Sequence, residues 1–219
     1  MSAVNRTNHP EAEEFMRASM TDSAHDIEHV YRVLNYACDI AKHENGVDTK
    51  LLTIACLLHD IGRSAQFADP NIDHALFGAE KAYAWLLENG YSEDFSAAVQ
   101  HCIKSHRFRS SSPPNTLEAK ILYDADKLEV CGAVGIARTL LYCAHVSVPL
   151  YSFGKNGEIS DGSNDKEASF FQEYKFKLEK MYDKLYTTRG AELAAKRKSA
   201  AKLFYDSLLL ETLECYGAI

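Results

Sequence analysis

The 219-residue chain has no CxxC pair, no apolar run of membrane-spanning length, no internal repeat and no excess of positive charge. Each absence removes a class of protein. The six cysteines (38, 56, 102, 131, 143 and 215) are scattered and mostly fall in apolar helical stretches, so they read as reduced core residues, not as a disulfide or zinc framework. No apolar run approaches the ~20 residues that a spanning helix needs. The opening stretch MSAVNRTNHPE is polar and lacks the apolar centre of a secretion signal. No membrane association and a cytoplasmic location are therefore expected. A net charge of −7 and a pI near 5.7 argue against a nucleic-acid polymer or an anionic lipid surface as partner. Strand-like alternation is missing too: no stretch reads as a convincing β-strand or hairpin.

What is present is helix. Apolar residues make up 46% of the chain, enough for a sizeable core in a single domain of residues 1–219. The organising stretch is LLTIACLLHDIG, Leu51 to Gly62. It is apolar all round until His59 and Asp60 arrive side by side, the pattern of a helix in the middle of a fold. Asp48 offers its N-cap and Gly62 its stop, which predicts a buried helix from about Thr49 to Asp60. A carboxylate at the end of such a helix is costly unless something pairs with it, and a metal ion is a partner that suits an adjacent His and Asp.

The flanking pattern is all-α. A short helix over 9–20 turns Phe15, Met16 and Met20 inward, and a Ser23–Asp26 capping box opens a helix to about His43 with Val30, Val33, Leu34, Ala37 and Ile40 inward. Residues 63–73 read as a loop. Helices follow from His74 to Asn89, from Ser92 to about His106 and from Thr116 to about His145, the last with Gly132 and Gly135 marking a bend or a close helix contact. Residues 146–164, with three glycines, read as a flexible loop and a candidate lid. Two C-terminal helices over about 165–215 complete the chain, the last with Leu193, Ala200, Phe204 and Leu208 inward.

Four residues of metal-ligand type recur in order on three helices: His29, then His59 and Asp60, then Asp126. The strings that hold them, HDIEHVYRV (25–33), LLHDIG (57–62) and AKILYDADKLE (119–129), resemble the HD-domain superfamily of metal-dependent phosphohydrolases, whose pattern is H…HD…D. The resemblance covers roughly residues 20–145. The segment FFQEYKFKLEKMYDKLYTTRG, near 170–190, is similar to a bacterial HD subgroup of uncharacterised or nucleotide-hydrolysing proteins.

The resemblance implies an HD helical bundle with a C-terminal helical extension, metal ligands His29, His59, Asp60 and Asp126, and hydrolysis of a nucleotide or other small phosphate ester through a metal-activated water. Two imidazoles and two carboxylates suit Mn, Co, Ni or Fe more than Mg. Asp60 is also a candidate to orient or deprotonate the water, with His106 a second catalytic candidate. His74 and His106 are candidates for a second metal or for phosphate contact. Their bland roles are helix start and helix end, where a cation complements the dipole. Arg32, Arg63 and Lys127 lie beside the motifs and are candidate phosphate contacts, with Lys104, Arg107 and Arg109 further out. His25 lies one turn before His29 and lines or shields the site, whereas His101 reads as structural. Between two close carboxylates, Asp124 has the charged neighbours of a solvated face and Asp126 the apolar neighbours of a ligand. Two other functions fit the resemblance: a diiron HD-type oxygenase using His74 and His106 as extra ligands, and a non-catalytic nucleotide-binding module. Self-association is compatible with either.

Overall fold

In the computed structural model, residues 7–20, 27–107 and 112–216 are described. Every regular element among them is helical, apart from an isolated antiparallel bridge between Phe153 and Ile159. The chain divides into two compact units, Met1–Asp126 and Lys127–Ile219.

The first unit is built around α3 (Thr49–Leu58). Asp48 caps it, accepting from the Leu51 amide at 2.9 Å, and Leu52, Ile54, Ala55, Cys56, Leu57 and Leu58 are all buried. Each Leu or Ile fully removed from water contributes roughly 1.5–3 kcal/mol, so this helix is held by its surroundings on every side. α2 (Ile27–Ala41) and α6 (Glu93–Ser105) pack on it, as does α1 (Pro10–Ser19). α1 is pinned to α2 by a buried network. The Tyr31 hydroxyl donates to Glu13, and Arg17 Nη2 donates to Glu13 Oε1 at 3.1 Å. Ser23 and Asp26 of the expected capping box lie outside the described residues.

Residues 63–73 are not simply a loop. After a turn at His59–Gly62 the chain forms a short helix, α4 (Arg63–Ala68), before α5 (His74–Glu88). The turn explains Gly62. A Cβ there would stand 2.2 Å from the His74 carbonyl oxygen and 2.8 Å from the Gly78 amide. Only glycine lets the start of α5 lie against the HDIG turn. α5 packs extensively on α6, and Asp73 caps it, accepting from the Ala75 and Leu76 amides. Thr116 caps α7 (Leu117–Leu128), and Glu118 accepts from the Asp48 amide at 2.9 Å, which ties α7 to the start of α3.

The long helix expected from 116 to 145 is two helices. α7 stops at Leu128 and α8 (Gly132–His145) restarts at Gly132, which sits at φ +71°. That conformation is cheap only for glycine. In the second unit α8 packs on α10 (Thr188–Cys215), with α9 (Phe170–Glu173), a π-helical turn over Tyr174–Leu178 and a 3-10 turn over Met181–Asp183 between them in sequence. The face of α10 that is buried is Gly190, Ala194, Ala201, Tyr205 and Thr212, one position away from the expected stripe; Ala200 and Phe204 are exposed. Tyr205 wins the inward position because it does two things there. Its ring stacks on Tyr174 (centroids 4.1 Å apart, 6° between planes) and its hydroxyl donates to the Asp161 carbonyl.

Residues 146–164 carry more anchors than their composition suggests. The Phe170 and Phe171 amides donate to Pro149 and Leu150, the Ser160 amide donates to Ser152 O, and Gly162 packs on the Phe171 backbone. Of the cysteines, 56, 102, 131 and 143 are buried as expected, while Cys38 and Cys215 are exposed.

Candidate metal centre

Six buried side chains converge in the first unit. α2 supplies His29. The end of α3 and the turn after it supply His59 and Asp60. The first residue of α5 is His74, the residue capping the end of α6 is His106, and the last full turns of α7 supply Asp126. Each is buried, Asp126 least so. They form two groups, His29 with His59 and Asp126, and Asp60 with His74 and His106, and within each group the ligand-type atoms lie within 4.8 Å of one another.

Asp60 joins the two groups. Its Oδ2 lies 3.5 Å from His29 Nε2 and 3.6 Å from His59 Nε2. Its Oδ1 lies 3.6 Å from His106 Nε2 and 3.7 Å from His74 Nε2. Asp126 Oδ1 is 3.5 Å from His29 Nε2, and the His29 and His59 Nε2 atoms are 3.3 Å apart. Most of these separations are too long for good hydrogen bonds. They are the spacings of atoms that share a common neighbour.

The protons of three rings are fixed from outside. His59 Nδ1 donates to the Cys56 carbonyl at 2.7 Å, His106 Nδ1 to the Ile103 carbonyl at 2.6 Å, and His74 Nδ1 to Gln66 Oε1 at 2.8 Å. A carbonyl oxygen only accepts, so each ring carries a proton on Nδ1 and turns a bare Nε2 inward, the arrangement that metal-bound imidazoles share. Burial keeps His59 neutral, pushing it down to about 4, and burial followed by the Arg63 charge pushes His74 down to about 2. Burial alone would raise Asp60. The Arg63 guanidinium and the surrounding imidazoles outweigh it and hold that carboxyl well below its ordinary range. Asp60 Oδ2, His74 Nε2 and His106 Nε2 are buried with no hydrogen-bond partner. Each such atom costs about 1–3 kcal/mol if nothing meets it. Divalent cations, one at each group, would meet all three, and a donor set of imidazole nitrogens and carboxylate oxygens fits such ions.

The other expected residues fall out as follows. Arg63 donates from Nε to Asp60 Oδ1 at 3.0 Å and is partly exposed, so it is engaged with the cluster's central carboxylate. Arg32 is partly buried and Lys104 exposed. Lys127 is buried and opens the second unit. Arg107 is paired with Asp73, the cap of α5. His101 lies outside the cluster; its Nε2 stands 3.5 Å from the Asn115 amide. His25 and Arg109 lie outside the described residues. Asp124 departs from expectation: it is fully buried, more so than Asp126, because the α7 face that its lysine neighbours suggested was solvated is covered by the fold. Sequence reasoning missed Gln66, which stood in a stretch read as loop, and the two carbonyls, which carry no side-chain signal.

Residues 26–131 match the HD domain family. The chain is 31% identical to a predicted HD-superfamily hydrolase from an uncultured Thermotogales bacterium, with 94% of each chain covered and a TM-score of 0.63. An HD-superfamily hydrolase from Bacillus thuringiensis is 26% identical over 94% of this chain and 98% of that one, with a TM-score of 0.64. YpgQ of Bacillus subtilis, an uncharacterised protein, is 28% identical over 89% of this chain and 88% of its own length. Its crystal structure in complex with ADP superposes with a TM-score of 0.68 over 91% of this chain and 97% of that one.

Proposed function

This chain belongs to the HD-domain family, and on that premise we propose that it is a metal-dependent phosphohydrolase acting on a nucleotide or another small phosphate ester. The observation that carries the reading is the Asp60 carboxylate, whose two oxygens face two separate histidine groups, Oδ2 toward His29 and His59 and Oδ1 toward His74 and His106. In this reading His29, His59, Asp126 and Asp60 would hold one divalent ion, and His74, His106 and Asp60 would hold a second. Such ions polarise a phosphoryl oxygen and lower the pKa of bound water. Mn, Co, Ni and Fe suit the donors better than Mg.

The protein's own groups do the rest. Cys56 O, Ile103 O and Gln66 Oε1 fix the ring protons of His59, His106 and His74, so the rings need no reorganisation to act as ligands. Arg63 holds Asp60 ionised, and its partly exposed guanidinium stands where a phosphate oxygen arriving at the cluster meets a positive charge. Asp60, charged and central, is the group placed to orient or accept a proton from the attacking water. The nucleotide assignment draws support from the ADP complex of YpgQ. The test is a screen of phosphorylated metabolites on metal-stripped protein reloaded with Mn, Co, Ni or Mg, read as phosphate and pyrophosphate release. Release that depends on the ion, and is lost in His59→Ala, is expected; release that persists in metal-stripped protein refutes the reading.

The same two-group arrangement favours a second reading, a diiron oxygenase, because His74 and His106 stand where the extra ligands of such a site are needed. Two irons per chain with substrate-dependent oxygen uptake, and no phosphate release, select it.

A further inference from the structure

A concavity lies away from the histidine cluster. It is a cleft of about 450 Å³ whose walls include Trp85, Tyr91, Phe95, Lys50, Glu11 and Asn89, a volume within the range of small-molecule sites. Three helices run from it to the cluster. Lys50 is in the first turn of α3, which ends beside His59; Trp85 is in the last turn of α5, which begins at His74; Phe95 is in the first turn of α6, which ends beside His106. At about 1.5 Å per residue, these helices put roughly 14–17 Å between cleft and cluster. One small ligand in the cleft does not reach the histidines, so this is a separate site.

The lining has a definite chemistry. Phe15 stacks on Trp85 with centroids 4.8 Å apart and 8° between planes. Trp85 and Tyr91 follow at 6.5 Å and 35°, and Tyr91 stacks on Phe95 at 5.2 Å and 21°. Above the last two rings stands Lys50, with Nζ 5.0 Å from the Tyr91 centroid and 5.4 Å from that of Phe95. An exposed lysine is ordinarily a mobile, fully hydrated charge. Here the rings hold its ammonium at the edge of an aromatic surface by cation–π attraction. A fixed cation beside an aromatic platform complements a ligand that is itself a ring joined to an anion. Glu11 sets a limit on that anion. Its carboxylate shares the cleft and, after burial, adds to the upward shift of the Tyr91 phenol. A polyanion would be repelled there, whereas an amino group on the ring would find an acceptor.

We infer that this cleft binds a small molecule made of a flat heteroaromatic ring and a single anionic group, the ring against Trp85 and Tyr91 and the anion on Lys50. The anion comes from one of two sources, a phosphate as in a nucleoside monophosphate or a carboxylate on the ring itself.

Trp85 is the only tryptophan in the chain, so its emission reads the cleft and nothing else. The full-length protein is titrated with adenosine monophosphate, nicotinate, adenosine and inorganic phosphate. A saturable change is expected with adenosine monophosphate or with nicotinate, and which of the two binds tighter identifies the source of the anion. Adenosine and inorganic phosphate, each lacking one half, are expected to bind more weakly by about tenfold, the worth of one charge-assisted contact. Lys50→Ala should weaken the better ligand by a similar factor with an unchanged circular dichroism spectrum, since Lys50 is exposed. Tyr91→Leu should weaken adenosine as well. Three results overturn the inference: no saturable change with either ring-bearing anion, inorganic phosphate alone matching them, or undiminished binding in Lys50→Ala. The readout needs neither metal nor turnover, so it stands apart from the fate of the phosphohydrolase reading.

Discussion

Gly62→Ala should separate the two halves of the metal centre. The added Cβ would stand 2.2 Å from the His74 carbonyl oxygen, 2.8 Å from the Gly78 amide and 3.1 Å from the Gly78 Cα. All three are backbone atoms of one helix, so no side chain can swing aside to relieve the overlap. To restore ordinary van der Waals contact, the start of α5 has to retreat by about 1 Å or more. Overpacking of this kind costs typically about 1–3 kcal/mol, a loss that the buried core around α3 should tolerate. His74 is the first residue of the helix that moves, and ligand bonds near 2.0–2.1 Å do not stretch by an ångström. The variant should therefore fold, melt several degrees lower, keep the ion held by His29, His59 and Asp126, and lose the one that depends on His74. Metal content per chain after gel filtration, by plasma mass spectrometry, reads this directly. Gly46→Ala is the control, since a Cβ there meets nothing within 4 Å. It should lose stability through its positive φ and no metal. If Gly62→Ala retains full metal content, or loses both ions together, the division into two groups joined by Asp60 is wrong.

Four more expectations follow from the same geometry. Chelation should abolish hydrolysis, and Mn, Co or Ni should restore it more fully than Mg; equal activity in stripped protein contradicts the centre. Gln66→Ala should lower affinity for the second ion by about 10–100-fold, as removal of an imidazole's supporting acceptor does, and Gln66→Glu should recover most of it in a competition titration against a metal indicator. Asp126→Asn should lose metal, whereas Asp124→Asn, removing a fully buried carboxylate, should keep metal and lose about 1–3 kcal/mol in chemical denaturation. Metal-free protein should lose stability as pH falls from about 6.5 toward 4: His59, held down to about 4 in the fold, stays neutral there while the unfolded chain takes up its proton. A flat melting temperature over that window counts against it.

How much of this was legible in the sequence depended on what each residue's signal refers to. α3 could be read almost to its ends, because a segment apolar on every side admits only a buried position, and Asp48 announces the start. α10 could not be registered. Its polar and small residues leave two adjacent faces nearly equal in apolar content, and the choice between Phe204 and Tyr205 is made by partners outside the helix, Tyr174 and the Asp161 carbonyl. Asp124 was misplaced for the same reason. Lysines at 120 and 127 describe the helix by itself, and burial is decided by what packs against it. The break at Gly132 was visible as glycine but not as a full stop of the helix, since its positive φ is a property of the turn and not of the helical pattern.

The cluster itself shows a sharper division. His29, His59, Asp60 and Asp126 could be gathered by likeness to known motifs, and His74 and His106 were candidates for the same site, with a helix-end role as the alternative. What turns six residues into one centre is backbone placement. Gly62 admits α5 against the HDIG turn, and the carbonyls of Cys56 and Ile103 aim two rings at the same carboxylate. On the proposed reading a cation also answers the local electrostatics. Asp60 and Asp126 bring two carboxylates into a buried space where His59 and His74 stay neutral and Arg63 supplies one positive charge. A buried excess of negative charge is expensive, and a protein of net charge −7 would repel an anionic substrate from such a place. Divalent ions held at the two groups would reverse the local sign. On this reasoning the same ions that make the site chemically competent also make it electrostatically accessible, so metal removal should raise the apparent Kd for a non-hydrolysable nucleotide analogue as well as stop turnover. Equilibrium dialysis that found equal affinity with and without metal would show that the anion is recognised by Arg63 and its neighbours alone.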